Sequence, residues 1–182
     1  MSTVALDLDG TLISFERIYE IYRKAYEETI KSLKEKGVKI PKELEKHGEE
    51  YYRAFREIEG FSEEFDKIYY EILKENSYLK EEEERAKKIY RFVIEKFNPR
   101  DIYIVSGNSK AKEIVEKILP EFPKEKIFVT KPGNYEEEKV SLFKKLKIEL
   151  YIGDLEVDEK IARNANIRFL NVKDIEKEIL SV

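Results

Sequence analysis

Near its start the chain reads Val4-Ala5-Leu6-Asp7-Leu8-Asp9-Gly10-Thr11-Leu12, a short apolar run that carries two carboxylates. Such a run with a β-branched first residue predicts a buried strand, and the glycine predicts its end. Because side chains alternate along a strand, Asp7 and Asp9 are expected to point the same way. Two like charges this close need a cation, or a raised pKa on one of them. Mg²⁺ fits, since it takes oxygen ligands and is usually held by carboxylates together with phosphate oxygens.

Two simpler explanations of this stretch do not fit it. A calcium-binding loop would need an acid at its twelfth position, where the chain has Ile18. A plain exit from a strand into a turn accounts for one aspartate before a glycine, but not for a second one inside an apolar run. The pair is therefore a candidate metal site whose partners must lie further along the chain.

Length and composition limit the classes of protein that fit. The 182 residues suit one domain with a modest insertion, and the 35 basic and 39 acidic side chains are interleaved, with a net charge of −4. A nucleic-acid groove needs a basic excess, so we expect no nucleic-acid partner. The absence of cysteine excludes disulfides and thiol nucleophiles, and the lone His47 argues against a His-built metal site or a Ser-His-Asp triad.

No apolar run reaches the length of a membrane span, and the N-terminus lacks the basic and apolar regions of a signal peptide. We therefore expect a cytoplasmic protein that has no membrane partner. The abundance of Glu and Lys, with no Cys and a single Met, resembles the composition of proteins from thermophiles. The sequence leaves the oligomeric state open between a monomer and a homodimer.

The spacing of apolar residues divides the chain into two regions. From Phe15 to Phe97 apolar residues recur at helical spacing without strand alternation, which predicts a helical-bundle cap domain over residues 14–97. From Asp101 onward, short apolar runs alternate with helical stretches, which predicts a parallel sheet covered on both faces. The prediction is an α/β fold: a Rossmann-like parallel five-stranded core formed by residues 1–13 and 98–182, with the cap inserted after the first strand. The later predicted strands are Ile102–Ser106, Ile127–Thr130, Leu150–Ile152 and Ile167–Leu170.

Ligands of open α/β sheets bind beyond the carboxyl ends of the strands. There the chain has a carboxylate pair, a hydroxyl with amides that can approach a phosphate, a cation, and a second carboxylate pair one helical turn apart. Together these groups predict a metal-assisted phosphoryl-transfer site. The segments are, in order, Asp7 to Asp9, Ser106-Gly107-Asn108, Thr130-Lys131-Pro132-Gly133, and Gly153-Asp154 with Asp158.

These segments resemble the four motifs of the haloacid dehalogenase (HAD) superfamily. The resemblance rests on Asp7-Leu8-Asp9-Gly10-Thr11-Leu12, on Ser106 closing an apolar strand, on a lysine before the fourth strand, and on Gly153-Asp154 with Asp158. It covers the whole core, and the insertion point matches members of the family that carry a helical cap after the first motif.

The resemblance implies roles for these residues. Asp7 would be the nucleophile and become an aspartyl phosphate, and Asp9 would be the general acid and base. Mg²⁺ would be held by Asp7, the backbone carbonyl of Asp9 and Asp154, with Asp158 supporting directly or through water. The phosphate oxygens would be bound by Ser106, Gly107 and Asn108, and by the lysine of the third motif, Lys131 or Lys139. For Asn108 the role of an ordinary turn residue is an equally good alternative.

The lysine of the third motif has two candidates. Lys131 follows the third predicted strand just before Pro132, and Lys139 lies inside the following predicted helix. Of the two, Lys131 is the preferred assignment, and the other would be a solvated surface lysine.

The sequence therefore predicts a Mg²⁺-dependent phosphatase that hydrolyses a small phosphorylated metabolite. Two alternatives remain open: a phosphomutase of the same fold, which product analysis would distinguish, and a non-catalytic phosphate-binding regulatory module, against which the intact Asp7 and Asp9 argue.

Overall fold

A computed structural model of the protein describes residues 2–46, 51–74, 78–131 and 134–180; His47 lies outside this range. Within these residues the strands are β1 (Thr3–Leu6), β2 (Asp101–Ser106), β3 (Ile127–Val129), β4 (Leu150–Gly153) and β5 (Arg168–Asn171). The α-helices are α1 (Phe15–Glu35), α2 (Tyr51–Glu57), α3 (Phe61–Lys74), α4 (Tyr78–Phe97), α5 (Ala111–Ile118), α6 (Tyr135–Lys145), α7 (Glu156–Asn164) and α8 (Val172–Leu180).

The five strands form one sheet in the order β3-β2-β1-β4-β5, and every neighbouring pair is parallel. The first strand lies in the middle of the sheet, and its four residues are all buried. This position explains its apolar composition, because a central strand of a parallel sheet is covered on both faces. The predicted Rossmann-like α/β fold, with helices inserted after the first strand, is thus confirmed.

The register of the sheet brings the ends of three strands to one level. Leu6 in β1 aligns with Ile104 in β2 and with Ile152 in β4. The Asp7 N–H then donates to the Ile152 carbonyl at 2.9 Å, so Asp7 continues directly from the strand. Side chains that follow these strands therefore emerge at the same edge of the sheet.

The chain divides into two compact units, Met1–Phe15 with Tyr78–Val182, and Glu16–Ser77. This division differs from the boundary at residue 97 that the helical pattern predicts, because α4 belongs to the unit that contains the sheet. In that unit α4 packs against α5 and α8, with Ala86, Ile89 and Val93 fully buried. Helical periodicity marks α4 as amphipathic but does not say which unit covers its apolar face.

The second unit contains most of α1 together with α2 and α3, and its interior is aromatic. Tyr22 stacks on Tyr69 with ring centroids 5.1 Å apart, and Phe55 meets Phe61 edge-on at 5.4 Å. The buried Tyr26 hydroxyl donates to the Leu44 carbonyl. In the part of the chain that the structure describes, no helix is both long enough and apolar enough to span a bilayer.

Candidate active site

The turn after β1 determines the positions of the first two acidic side chains of the site. The Leu8 carbonyl accepts hydrogen bonds from Thr11 N–H at 3.2 Å and Ile13 N–H at 3.1 Å, which closes a tight loop. Gly10 sits in this loop at φ +82°, a conformation that glycine adopts without steric cost. The loop leaves Asp7 buried at the end of the strand and Asp9 partly buried two residues later.

Gly10 is also a point of close approach between the loop and the fourth strand end. A Cβ atom on Gly10 would lie 2.2 Å from Asp154 Oδ2. The lack of a side chain therefore lets the Asp154 carboxylate rest against the loop backbone. The sequence motif contains this glycine, but only the structure shows which side chain occupies the space.

Three carboxylates converge at this edge of the sheet. Asp7, Asp154 and Asp158 are all buried, and each offers an oxygen within 4.8 Å of the other two. Asp158 is held in place by the start of α7, since its Oδ2 accepts hydrogen bonds from Asp154 N–H at 3.1 Å and Leu155 N–H at 3.2 Å. By contrast, Asp154 Oδ1 is buried and has no hydrogen-bond partner within the described structure.

Burial and mutual repulsion shift the acidity of this cluster. The pKa of Asp7 is raised well above its usual value by burial and by Asp158, Asp9 and Asp154, although Lys139 opposes this shift. Burial and the neighbouring Asp158 raise the pKa of Asp154 to about 7. The negative charge of the cluster is therefore only partly compensated by the protein itself.

Lys139 is the lysine that reaches the cluster. Its Nζ lies 3.2 Å from Asp7 Oδ1 and donates to the Tyr151 hydroxyl at 3.0 Å, and its side chain is buried. Burial lowers its pKa, but the attraction of Asp7 and Asp158 outweighs this effect, so the pKa is raised and the ammonium stays charged. This geometry favours Lys139 over Lys131, the lysine preferred from the sequence. Lys131 is exposed, and its N–H donates to Glu138 Oε2 at 2.6 Å.

Tyr151 is a site residue that the sequence analysis missed. It lies in β4, fully buried, and its hydroxyl accepts from Lys139 and donates to Asp158 Oδ1 at 2.8 Å. Burial and the nearby carboxylates raise the pKa of this hydroxyl well above its usual value, so it keeps its proton. A hydroxyl-bearing aromatic in an apolar strand, three residues before a site aspartate, is the signal that could have identified it.

The loop after β2 brings a hydroxyl and an amide to the same edge. The buried Ser106 Oγ accepts a hydrogen bond from Asn108 N–H at 3.0 Å, so the hydroxyl hydrogen is directed elsewhere. A Cβ atom on Gly107 would lie 3.6 Å from Thr130 Oγ1, which is an ordinary van der Waals distance. The side chain of Asn108 contacts Asp9, with Nδ2 at 3.2 and 3.4 Å from the two carboxylate oxygens.

The residues present suit a divalent cation. The cluster offers carboxylate oxygens, which are the ligands that Mg²⁺ prefers. Among them, the buried Asp154 Oδ1 accepts no hydrogen bond within the described structure, so its lone pairs are available to a cation. Asp7 and Asp154 could bind such an ion directly. Both oxygens of Asp158 already accept hydrogen bonds, which favours a supporting role for this residue.

The two lysines can be separated by mutation. For the phosphatase reaction that the sequence predicts, we expect Lys139→Ala to reduce turnover of a phosphate ester by at least about 10²-fold, because the variant removes the buried positive charge beside Asp7. Lys131→Ala is the matched control and should keep turnover within about twofold, because an exposed surface lysine contributes little. Steady-state kinetics on both variants provide the measurement. Equal losses in the two variants, or none in either, would contradict the assignment of Lys139.

Comparisons with known proteins add only distant similarities. No protein-family model matches the chain, and no curated protein matches it in sequence. Among solved structures, a hydrolase from Streptococcus pneumoniae TIGR4 is similar at 20% identity, covering 100% of this chain and 98% of that one, with a TM-score of 0.46. The UTR4 protein (Unknown transcript 4 protein) of Saccharomyces cerevisiae is similar at 11% identity, covering 92% and 88%, with a TM-score of 0.38. Similarities this distant assign no function to the chain.

Proposed function

We propose that this protein is a Mg²⁺-dependent phosphatase of the HAD type, which hydrolyses a small phosphorylated metabolite through an aspartyl-phosphate intermediate. The observation that carries the proposal is the buried cluster of Asp7, Asp154 and Asp158 with the Lys139 ammonium on Asp7. A purely structural role would not require three buried acids around one lysine, because burying uncompensated charge destabilises a fold.

In the first step a carboxylate oxygen of Asp7 attacks the phosphorus of the ester, and the bond from phosphorus to the leaving oxygen breaks. Asp9 gives its proton to that oxygen, which departs as an alcohol. In the second step Asp9 takes a proton from water, and the water oxygen attacks the phosphorus. The bond between phosphorus and the Asp7 oxygen breaks, which releases inorganic phosphate and restores both side chains.

The remaining residues of the site would bind the metal ion and the phosphate group and would compensate their charges. Asp7 and Asp154 would hold Mg²⁺, with the backbone carbonyl of Asp9 and with Asp158 in support. When bound, the ion neutralises charge between the anionic nucleophile and the anionic phosphate. The Ser106 hydroxyl has its hydrogen available for a phosphate oxygen, because its own oxygen accepts from Asn108 N–H. Lys139 supplies a fixed positive charge beside Asp7.

The test measures p-nitrophenyl phosphate hydrolysis and phosphate release with Mg²⁺ and with EDTA, together with the unfolding temperature under both conditions. We expect turnover only with Mg²⁺, and a rise in unfolding temperature on adding the ion, since a ligand that binds the folded state stabilises it. Turnover that persists in EDTA, or a wild-type protein that neither turns over nor is stabilised by the ion, would overturn the proposal.

A further inference from the structure

Asn108 is a buried side chain whose orientation is fixed by the backbone around it. Its N–H donates to Ser106 Oγ at 3.0 Å, and its Oδ1 accepts from Lys110 N–H at 2.9 Å. A backbone N–H can only donate, so the amide oxygen must face Lys110 and the amide nitrogen must face the opposite way. The amide is therefore held in one orientation before any ligand binds.

The amide nitrogen of Asn108 is directed at Asp9. Nδ2 lies 3.2 Å from Asp9 Oδ1 and 3.4 Å from Oδ2, across 99 residues of sequence. Asp9 lies in the tight loop after β1 and is only partly buried. A side chain in that setting can adopt several rotamers, and a donor fixed on a neighbouring loop reduces this freedom.

We propose that Asn108 is a positioning residue for Asp9, which holds the carboxyl group that exchanges the proton with the leaving oxygen. This inference rests on the proposed phosphatase reaction, and it replaces the phosphate-binding role that the sequence predicted for Asn108. In the step concerned, the proton passes from Asp9 to the leaving oxygen as the phosphorus–oxygen bond breaks. A misplaced acid slows that transfer, and small displacements of reacting groups have large kinetic effects.

The two roles for Asn108 predict different dependence on the leaving group. A p-nitrophenolate ion departs readily without a proton, whereas an alkoxide must be protonated as it leaves. A residue that positions the acid therefore lowers kcat/KM most for alkyl esters, because kcat/KM covers the steps up to departure of the leaving group. The later attack of water, in which Asp9 acts as the base, is the same for both esters and does not enter kcat/KM. A residue that binds the phosphate oxygens matters equally for both esters, and its loss also weakens the binding of inorganic phosphate.

The experiment uses the full chain with Mg²⁺ and three variants. Asn108→Ala removes the amide, and Asn108→Asp keeps its shape and the acceptor for Lys110 N–H but places a carboxylate against Asp9. Asn134→Ala is the control, because Asn134 precedes α6 and makes no side-chain capping hydrogen bond. For each protein, kcat and KM are measured with p-nitrophenyl phosphate and glycerol phosphate. The dissociation constant of inorganic phosphate is measured by calorimetry, and the unfolding temperature confirms folding.

For both Asn108 variants we expect kcat/KM with the alkyl ester to fall at least about 10-fold more than with the aryl ester, as expected for a damaged proton transfer to the leaving oxygen. The dissociation constant of phosphate should stay within about twofold of wild type in Asn108→Ala, which retains the charge of the site, and Asn134→Ala should match wild type throughout. Equal losses in kcat/KM with both esters, or weaker phosphate binding by Asn108→Ala, would overturn the positioning role alone. A wild-type protein that hydrolyses neither ester would overturn the proposed function, and this role with it.

Discussion

Asp7→Asn is expected to abolish phosphatase turnover, with a loss of about 10⁴-fold or more, while the protein stays folded. Losses of this order follow when the nucleophile of a covalent mechanism is removed. An amide cannot form the aspartyl phosphate, because its oxygen is far less nucleophilic and its nitrogen carries no available lone pair. Turnover with Mg²⁺ and the unfolding temperature are the two measurements.

The fold should tolerate this change for reasons visible in the site. Asn has the shape of Asp, and the raised pKa of Asp7 shows that burial and the neighbouring acids disfavour its charged form. Lys139 keeps its hydrogen bond to the Tyr151 hydroxyl and remains near Asp158. We therefore expect the unfolding temperature of the variant to lie close to that of wild type without metal.

Asp101→Asn is the matched control for Asp7→Asn. Asp101 begins β2, at the opposite end of that strand from Ser106, and its carboxylate pairs with Lys126 at 3.0 Å. This pair is partly exposed, so its loss should cost less than about 1 kcal/mol of stability and leave turnover unchanged. An Asp7→Asn variant with normal turnover would rule out the covalent mechanism.

Gly10→Ala has the second largest expected effect, a loss of about 10²-fold or more in turnover together with loss of stabilisation by Mg²⁺. The added Cβ would lie 2.2 Å from Asp154 Oδ2 and 2.6 Å from its Cγ, so the carboxylate must move. A shift of about 1 Å in a group that holds reacting charge can cost about 10²-fold in rate. Kinetics and thermal unfolding with and without Mg²⁺ measure both effects.

Gly10→Ala could act through backbone strain or through displacement of Asp154, and control variants distinguish these two causes. Gly10 lies at φ +82°, where an L-residue costs about 1–2 kcal/mol. Gly37 and Gly60 have φ values of +81° and +75°, and a Cβ on either would meet nothing within 4 Å. Gly37→Ala and Gly60→Ala should therefore lose similar stability but keep turnover and the response to Mg²⁺. If Gly10→Ala behaves like these controls, Asp154 does not take part in the site.

The local pattern of the sequence was enough to identify the fold and the edge of the sheet where the acidic residues meet. Apolar runs of strand length predicted the five strands, although β1 ends at Leu6 and leaves Asp7 to Asp9 in the following loop. Parallel strands bring their carboxyl ends to one edge, so a motif at each end implies spatial proximity before any contact is known. The convergence of Asp7, Asp154 and Asp158 agrees with that argument.

Contacts between segments that are distant in the sequence could not be predicted from local sequence patterns. Lys139 meets Asp7 across 132 residues, and which of many lysines does so depends on how α6 is rotated and packed. The same limit applies to Asn108, for which the sequence left a turn role and a phosphate-side role open, and whose side-chain amide contacts Asp9 in the structure. For α4, helical periodicity gave an amphipathic helix but not the unit that buries it.

The sequence by itself determined the α/β fold and the acidic character of the site, because strand length, alternation and glycine breaks are properties of neighbouring residues. Only the tertiary structure decided that Lys139 and Tyr151 join the carboxylates, that Asn108 contacts Asp9, and that Gly10 makes room for Asp154. These choices depend on the register of the strands and on side-chain packing between distant segments, and a one-dimensional pattern contains neither.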